Sequence, residues 1–174
     1  NIDTGVNYAH PDLVANMWET MYNASGVGLA APQVGLAVRL FLVDTTAFAD
    51  DEDLSEEEKY ALKNFKRVFI NAYKEEETGE EWAFNEGCLS IPDIREDVTR
   101  NDTITLSYVD EDFKEHVETY DGLLARVIQH EYDHIEGILF TDKLSSFKKR
   151  LLKGRLSNIS KGKIKVDYRM RFPD

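Results

Sequence analysis

The apolar positions of the chain change period several times, and each change marks an element. After Pro11-Asp12, Leu13, Val14, Met17, Trp18 and Met21 recur at helical spacing, and Gly26 offers a stop. Residues 38–43 (VRLFLV) and 67–72 (RVFINA) are short runs rich in β-branched and aromatic residues, which read as strands. Between them, residues 46–66 are acidic and sparsely apolar. Ser55 followed by Glu58 has the form of a capping box, so this stretch predicts a surface insertion carrying a short helix. Residues 73–84 predict a hairpin turning at Thr78-Gly79. Pro92 is expected to end pairing there, and further strands are expected over residues 95–99, 103–109 and 114–119.

From Asp121 to about Glu136 the pattern is helical again. Leu123, Leu124, Val127, Ile128, Ile135 and Ile138 place apolar groups on more than one side, which is the mark of a buried helix. Asp121 is suited to cap its start and Gly137 to end it in the left-handed conformation. Residues 145–156 predict a basic amphipathic helix with Phe147, Leu151, Leu152 and Leu156 on its inner side. Strands followed by a buried helix indicate an α+β fold. The expectation is one domain spanning residues 1–174, with antiparallel β-strands packed around a buried central helix and a C-terminal basic helix.

Composition narrows this picture without redirecting it. The 174 residues are 42% apolar and 31% charged, enough for one domain with a real core. No apolar run approaches the length that spans a bilayer, and no signal peptide is visible. The single cysteine, Cys88, rules out an internal disulfide and suits a reducing compartment. The net charge of −12 is unevenly spread. Residues 141–174 carry +8 and the remainder −20, so an acidic body bears a basic tail, a pattern suited to a nucleic-acid-rich partner.

The chemistry sits in the buried helix. His130-Glu131-Tyr132-Asp133-His134 is a His-Glu-x-x-His motif. At about 100° per residue the two imidazoles project from one face about 40° apart, able to share one divalent metal. Glu131 lies about 60° from His134, a place for a general base beside a Lewis acid. A catalytic site of this kind needs a third protein ligand. Downstream of Glu136 there is neither Glu nor His, so an ordinary zinc peptidase arrangement is disfavoured. Upstream, Cys88, His10 and His116 remain, and the thiolate of Cys88, in a Gly-preceded turn, is the strongest candidate.

Three stretches together carry a resemblance. Residues 26–33 read Gly-Val-Gly-Leu-Ala-Ala-Pro-Gln, residues 86–90 read Glu-Gly-Cys-Leu-Ser, and residues 129–134 contain Gln-His-Glu-x-x-His. In this order they resemble the motifs of the peptide deformylase family, over most of the chain from Leu13 to about Leu144. The likeness weakens in the acidic insertion and the tail. The family's N-terminal Gly-x-Pro-x-Leu-Arg-like stretch is not seen here.

The resemblance implies a hydrolase that removes the formyl group from N-formylmethionyl peptides and releases formate. It implies one divalent metal held by Cys88, His130 and His134, with Fe²⁺ as the ion in cells and Zn²⁺, Ni²⁺ or Co²⁺ as substitutes. Glu131 would be the general base, and Gln33 and the Leu89 N–H the oxyanion donors. The peptide would pair beside Val27-Gly28 and Gly87. Its methionine would enter a pocket near Val27, Phe84, Leu123 and Val127, with Arg126 at the mouth. Glu86 would brace the metal loop. Such an enzyme would work in a bacterial cytoplasm or a bacterial-type organelle, near the ribosomal exit tunnel, and not in a membrane. Its basic helix, through Lys148, Lys149, Arg150, Lys153 and Arg155, is expected to contact the ribosome. Two other readings remain open: an ordinary metallopeptidase, and a non-catalytic metal-stabilised module.

Overall fold

The computed structural model describes residues 11–48 and 50–172. Its order is α1 (Pro11–Asn23), β1 (Gly28–Ala30), β2 (Leu40–Asp44), α2 (Glu56–Lys63), β3 (Lys66–Cys88), β4 (Ile91–Val109), β5 (Glu115–Asp121), α3 (Gly122–Ile135) and α4 (Ser146–Ser160). The five strands form one antiparallel sheet in the order β1-β2-β3-β4-β5. The mixed helix and antiparallel-sheet class is the one expected.

Both faces of β2 are covered, which explains why its sequence is a continuous apolar run rather than an alternation. Phe41 and Val43 meet Phe69, Ile104 and Leu106, together with Ala125, Val127, Ile128 and Tyr132 of α3. Leu40 and Leu42 turn the other way, onto Val14, Met17 and Met21 of α1. A third cluster joins Ile91, Ile94 and Val98 to Phe140, Leu144 and the α4 residues Leu152 and Ile159.

Local rules hold at several ends. Ser55 Oγ accepts from the Glu58 N–H at 3.3 Å, and the Glu58 carboxylate accepts from the Ser55 N–H at 2.9 Å, closing the capping box of α2. Gly137, at φ +74, ends α3. The Ile138 N–H returns to the Asp133 carbonyl at 2.8 Å and the Gly137 N–H to that of His134 at 3.1 Å.

Other expectations fail. Residues 73–84 make no hairpin, because β3 runs unbroken alongside the 19-residue β4. Gly79 does take φ +82, but the positive angle produces a one-residue bulge between the Thr78↔Thr103 and Glu81↔Asn101 pairs. The two strands expected over residues 95–109 are likewise one. Pro92 sits inside β4 where the register with β3 shifts, so its missing N–H removes no regular rung. Asp121 precedes α3 but its side chain makes no capping bond, because its backbone still belongs to β5. On α4, Phe147 and Leu151 are exposed. The helix rests on a narrower stripe through Leu152, Leu156 and Ile159.

The acidic insertion is tied to the body through Leu62, which is buried and whose carbonyl accepts from Thr45 Oγ1 at 2.8 Å, whereas Tyr60 is exposed. Leu62→Ala should therefore lower unfolding free energy by about 2–3 kcal/mol. Tyr60→Ala should change it by less than about 0.5 kcal/mol. Urea titrations of the two variants against the parent check both values.

Candidate metal centre

Helix α3 and the β3–β4 turn meet at the site. Cys88 is the last residue of β3 and pairs with Ile91, leaving Leu89 and Ser90 as the turn. This brings Cys88 Sγ to 3.2 Å from His134 Nε2. One ligand atom from each of Cys88, His130 and His134 lies within 4.8 Å of the others. A four-coordinate ion with bonds of about 2.0–2.3 Å needs its donors roughly 3–4 Å apart, so this soft-plus-imidazole set fits a divalent transition metal. His116 is elsewhere, paired with Asp110 at 2.6 Å and stacked on Tyr108. His10 lies outside the described residues.

The His130 ring is oriented from behind. Its Nδ1 lies 2.9 Å from Glu86 Oε2, which leaves Nε2 for the ion. Glu86 is buried, gripped by Arg100 through Nε at 2.7 Å and Nη2 at 2.9 Å, and by Arg126 Nη1 at 3.0 Å. Arg100 also reaches Asp133 Oδ2 at 2.6 Å. Burial alone would raise the Glu86 pKa, but the bonds with His130 and Arg100 outweigh it and hold it at about 2. Burial disfavours a proton on His130, yet contacts with Cys88 and Glu86 and the charge of Glu131 push it up to about 10. His134 is pushed down to about 3 by burial and by its charged neighbours His130 and Arg100. The surroundings of His130 thus favour added positive charge, which a proton or a metal ion can supply.

Glu131 is buried, and burial lifts its pKa to about 7. Its Oε2 has no hydrogen-bond partner among the described residues. Gly28 makes room for it, since a Cβ at that position would lie 2.4 Å from Glu131 Oε1. Gln33 sits in a short 3-10 turn (Ala31–Val34) after β1. Its Oε1 accepts from the Ala30 N–H at 2.8 Å, which turns Nε2 toward Ser90 Oγ at 3.1 Å and Cys88 Sγ at 3.6 Å.

A cavity of about 760 Å³ opens beside these groups, lined by Val27, Gly28, Gln33, Phe84, Gly87, Cys88, Leu89, Val127, His130 and Glu131. Leu123 is buried but does not line it. Arg126 does line it, though not as a residue at the mouth. It is 2% exposed, bound to Glu86 and to the carbonyls of Val98 and Trp82, with its guanidinium 4.5 Å from the Trp82 ring centre.

The family model described as polypeptide deformylase matches residues 4–150. The chain belongs to this family. Among its relatives, the peptide deformylase of Christiangramia forsetii is 68% identical over 94% of this chain and 83% of its own. That of Flavobacterium johnsoniae is 62% identical over 98% and 89%. Among solved structures, Arabidopsis thaliana peptide deformylase 1B in complex with an inhibitor is 30% identical, with a TM-score of 0.76 over 94% of this chain and 83% of that one. As a peptide deformylase, the protein is a metal-dependent hydrolase acting on formylated peptides.

Some residues of the deformylase site escaped the sequence. Arg100 and Asp133 complete the brace behind Glu86 and His130, and Ser90 holds Gln33. A charged Asp133 in a helix read as buried was the available signal. Residues 165–168, in the basic tail, also line the cavity.

The brace can be tested away from the chemistry. Glu86→Gln leaves Arg100 and Arg126 undercompensated in a buried place, so the metal-free protein should lose about 3 kcal/mol of stability. Metal affinity should fall by roughly 10–100-fold as His130 loses its anchor. Denaturant titration of the apoprotein and competition with a chelator read the two effects.

Proposed function

We propose that deformylation here is carried out by Glu131, Gln33 and Leu89 around an ion held by Cys88, His130 and His134. The observation that carries this is the close Cys88/His130/His134 donor set beside a buried Glu131 whose Oε2 has no hydrogen-bond partner among the described residues. When bound, the ion supplies a Lewis acid that polarises the formyl oxygen and acidifies water. Glu131, lifted by burial above the usual carboxylate range in the metal-free protein, takes a proton from the attacking water and returns it to the leaving amine. Gln33 Nε2 and the Leu89 N–H donate to the oxygen that becomes negative as water adds to the formyl carbon. The Gln33 amide is already oriented for this by Ala30.

The peptide backbone lies along the edge of β1, which among the described residues pairs on one side only, with β2. Val27-Gly28 on that edge and Gly87 opposite bracket an extended substrate, as in strand addition. The methionine side chain enters between Phe84, Val127 and the His130 ring. Arg126 closes its floor. The thiolate and two imidazoles suit Fe²⁺ in cells, and Zn²⁺, Ni²⁺ or Co²⁺ as substitutes. All of this belongs to one catalytic domain.

A cytoplasmic place agrees with bacterial relatives and with described helices that are too short or too polar to cross a membrane. Ribosome association is the further element of this reading. Its basis is narrower than the charge count: Lys148 pairs with Glu96 at 2.7 Å, Lys149 donates to the Asp142 carbonyl at 2.7 Å, and Arg155 donates to that of Asp93. Exposed Arg150 and Lys153 would carry the contact, and co-sedimentation should then weaken steeply with salt.

Formate release from formyl-Met-Ala-Ser, measured anaerobically with added Fe²⁺ or Ni²⁺, tests the mechanism. Glu131→Gln should keep its metal while turnover falls by roughly 10²–10⁴-fold. Near-normal turnover at neutral pH would send the proton elsewhere. Cys88→Ala should lose metal and activity together. Stoichiometric, tightly held metal in that variant would remove Cys88 from the ligand set.

A further inference from the structure

Beyond α4 the chain follows a regular pattern. Ile164, Val166, Tyr168, Met170 and Phe172 are half-buried and the residues between them are exposed. That alternation belongs to extended chain lying with one face on the protein. Yet no strand forms there. The segment is a loop closed at its base. Gly162 turns it at φ +67, and Phe172 comes back so near that a Cβ at residue 162 would lie 2.9 Å from its ring. Ile164 packs into the cluster that includes Cys88 and Leu156. Residues 165–168 then form part of the cavity wall.

One directed bond joins this loop to the site. The Tyr168 hydroxyl donates to the Leu89 carbonyl at 2.7 Å. Leu89 belongs to the turn between β3 and β4 and to neither strand. Its side chain packs toward Gly26 and the α1 core. With side chain and carbonyl both fixed, the Leu89 backbone has little freedom, and its N–H is aimed accordingly.

We propose that Tyr168 is a positioning residue for deformylation: by holding the Leu89 carbonyl, it keeps the Leu89 N–H directed at the formyl oxygen. This rests on the assignment of that N–H as an oxyanion donor. A donor helps the transition state only to the extent that it is already in place when charge develops. Loosening it should therefore act on kcat more than on KM. A loop that served only as a wall for the peptide would do the opposite.

Tyr168→Phe keeps the ring and removes the hydroxyl, and Tyr168→Leu removes both. With formyl-Met-Ala-Ser, Tyr168→Phe should lower kcat by roughly three- to tenfold, with KM within about twofold and metal content unchanged. In the metal-free protein, amide exchange at Leu89 and Ser90 should be faster than in the parent, which reads the loosening without activity. Three results would overturn the proposal: a Tyr168→Phe enzyme with parental kcat while Tyr168→Leu is impaired, a raised KM at unchanged kcat, or a kcat loss matched by metal loss. Failure of the unsubstituted protein to release formate would instead overturn the mechanism itself, and this inference with it.

Discussion

One buried carboxylate holds the site together. Glu86 is 3% exposed, and burial by itself raises its pKa. It stays ionised because Arg100, Arg126 and the His130 ring surround it. These partners come from β4 and α3, while Glu86 itself is on β3. The network therefore closes only when the β3–β4 register and the docking of α3 are both correct. A buried ion cluster is a poor source of net stability compared with apolar packing. Its effect here is on register, because a slip of one residue in β3 would send Glu86 to the opposite face and leave Arg100 unpaired.

The same constraint explains the long strands. β3 carries Glu86 and Cys88 near its end, far from the part that pairs with β2. Between these regions lie the bulge at Gly79 and the shifts at Ile70/Tyr73 and Lys74/Glu76, which add twist without breaking the ladder. The sheet can thus serve a closed core at one end and an open cleft at the other. α3 bridges the two. Ala125, Ile128 and Tyr132 are locked in the core, while His130 and Glu131 line the cavity.

What the sequence disclosed was mostly what local rules decide. The capping box at Ser55, the stop at Gly137 and the spacing of His130 and His134 depend on residues within a few positions, and all appear as expected. The failures share the opposite property. Thr78-Gly79 signals a positive φ, but whether that angle makes a turn or a bulge depends on β4, which is built from residues further on. Phe147 and Leu151 have the right period for an inner face, but the depth of the contact depends on what Phe140, Ile91 and Ile94 already fill. The candidate ligands were legible because the three motifs are compact. The brace was not, because Arg100 and Asp133 have no short-range partner to reveal them.

The contact between Tyr168 and Leu89 spans 79 positions and follows the same trend. Its only local trace is the alternation of apolar residues after Gly162, which periodicity alone would assign to a strand. The two halves of the site therefore differ in how they are held. His130 and His134 stand on a helix packed against β1, β2, β4 and β5, with Glu86 buried behind it. Leu89 stands on a turn whose outer support is a half-buried loop without ladder bonds. Local opening costs least where apolar contacts are few and backbone bonds are exposed. Opening should thus begin at the loop and reach the Leu89 turn before it reaches His130 and His134. The two imidazoles are thus held by the core, whereas the Cys88 thiol and the Leu89 N–H share one turn, supported by the C-terminal edge of the fold.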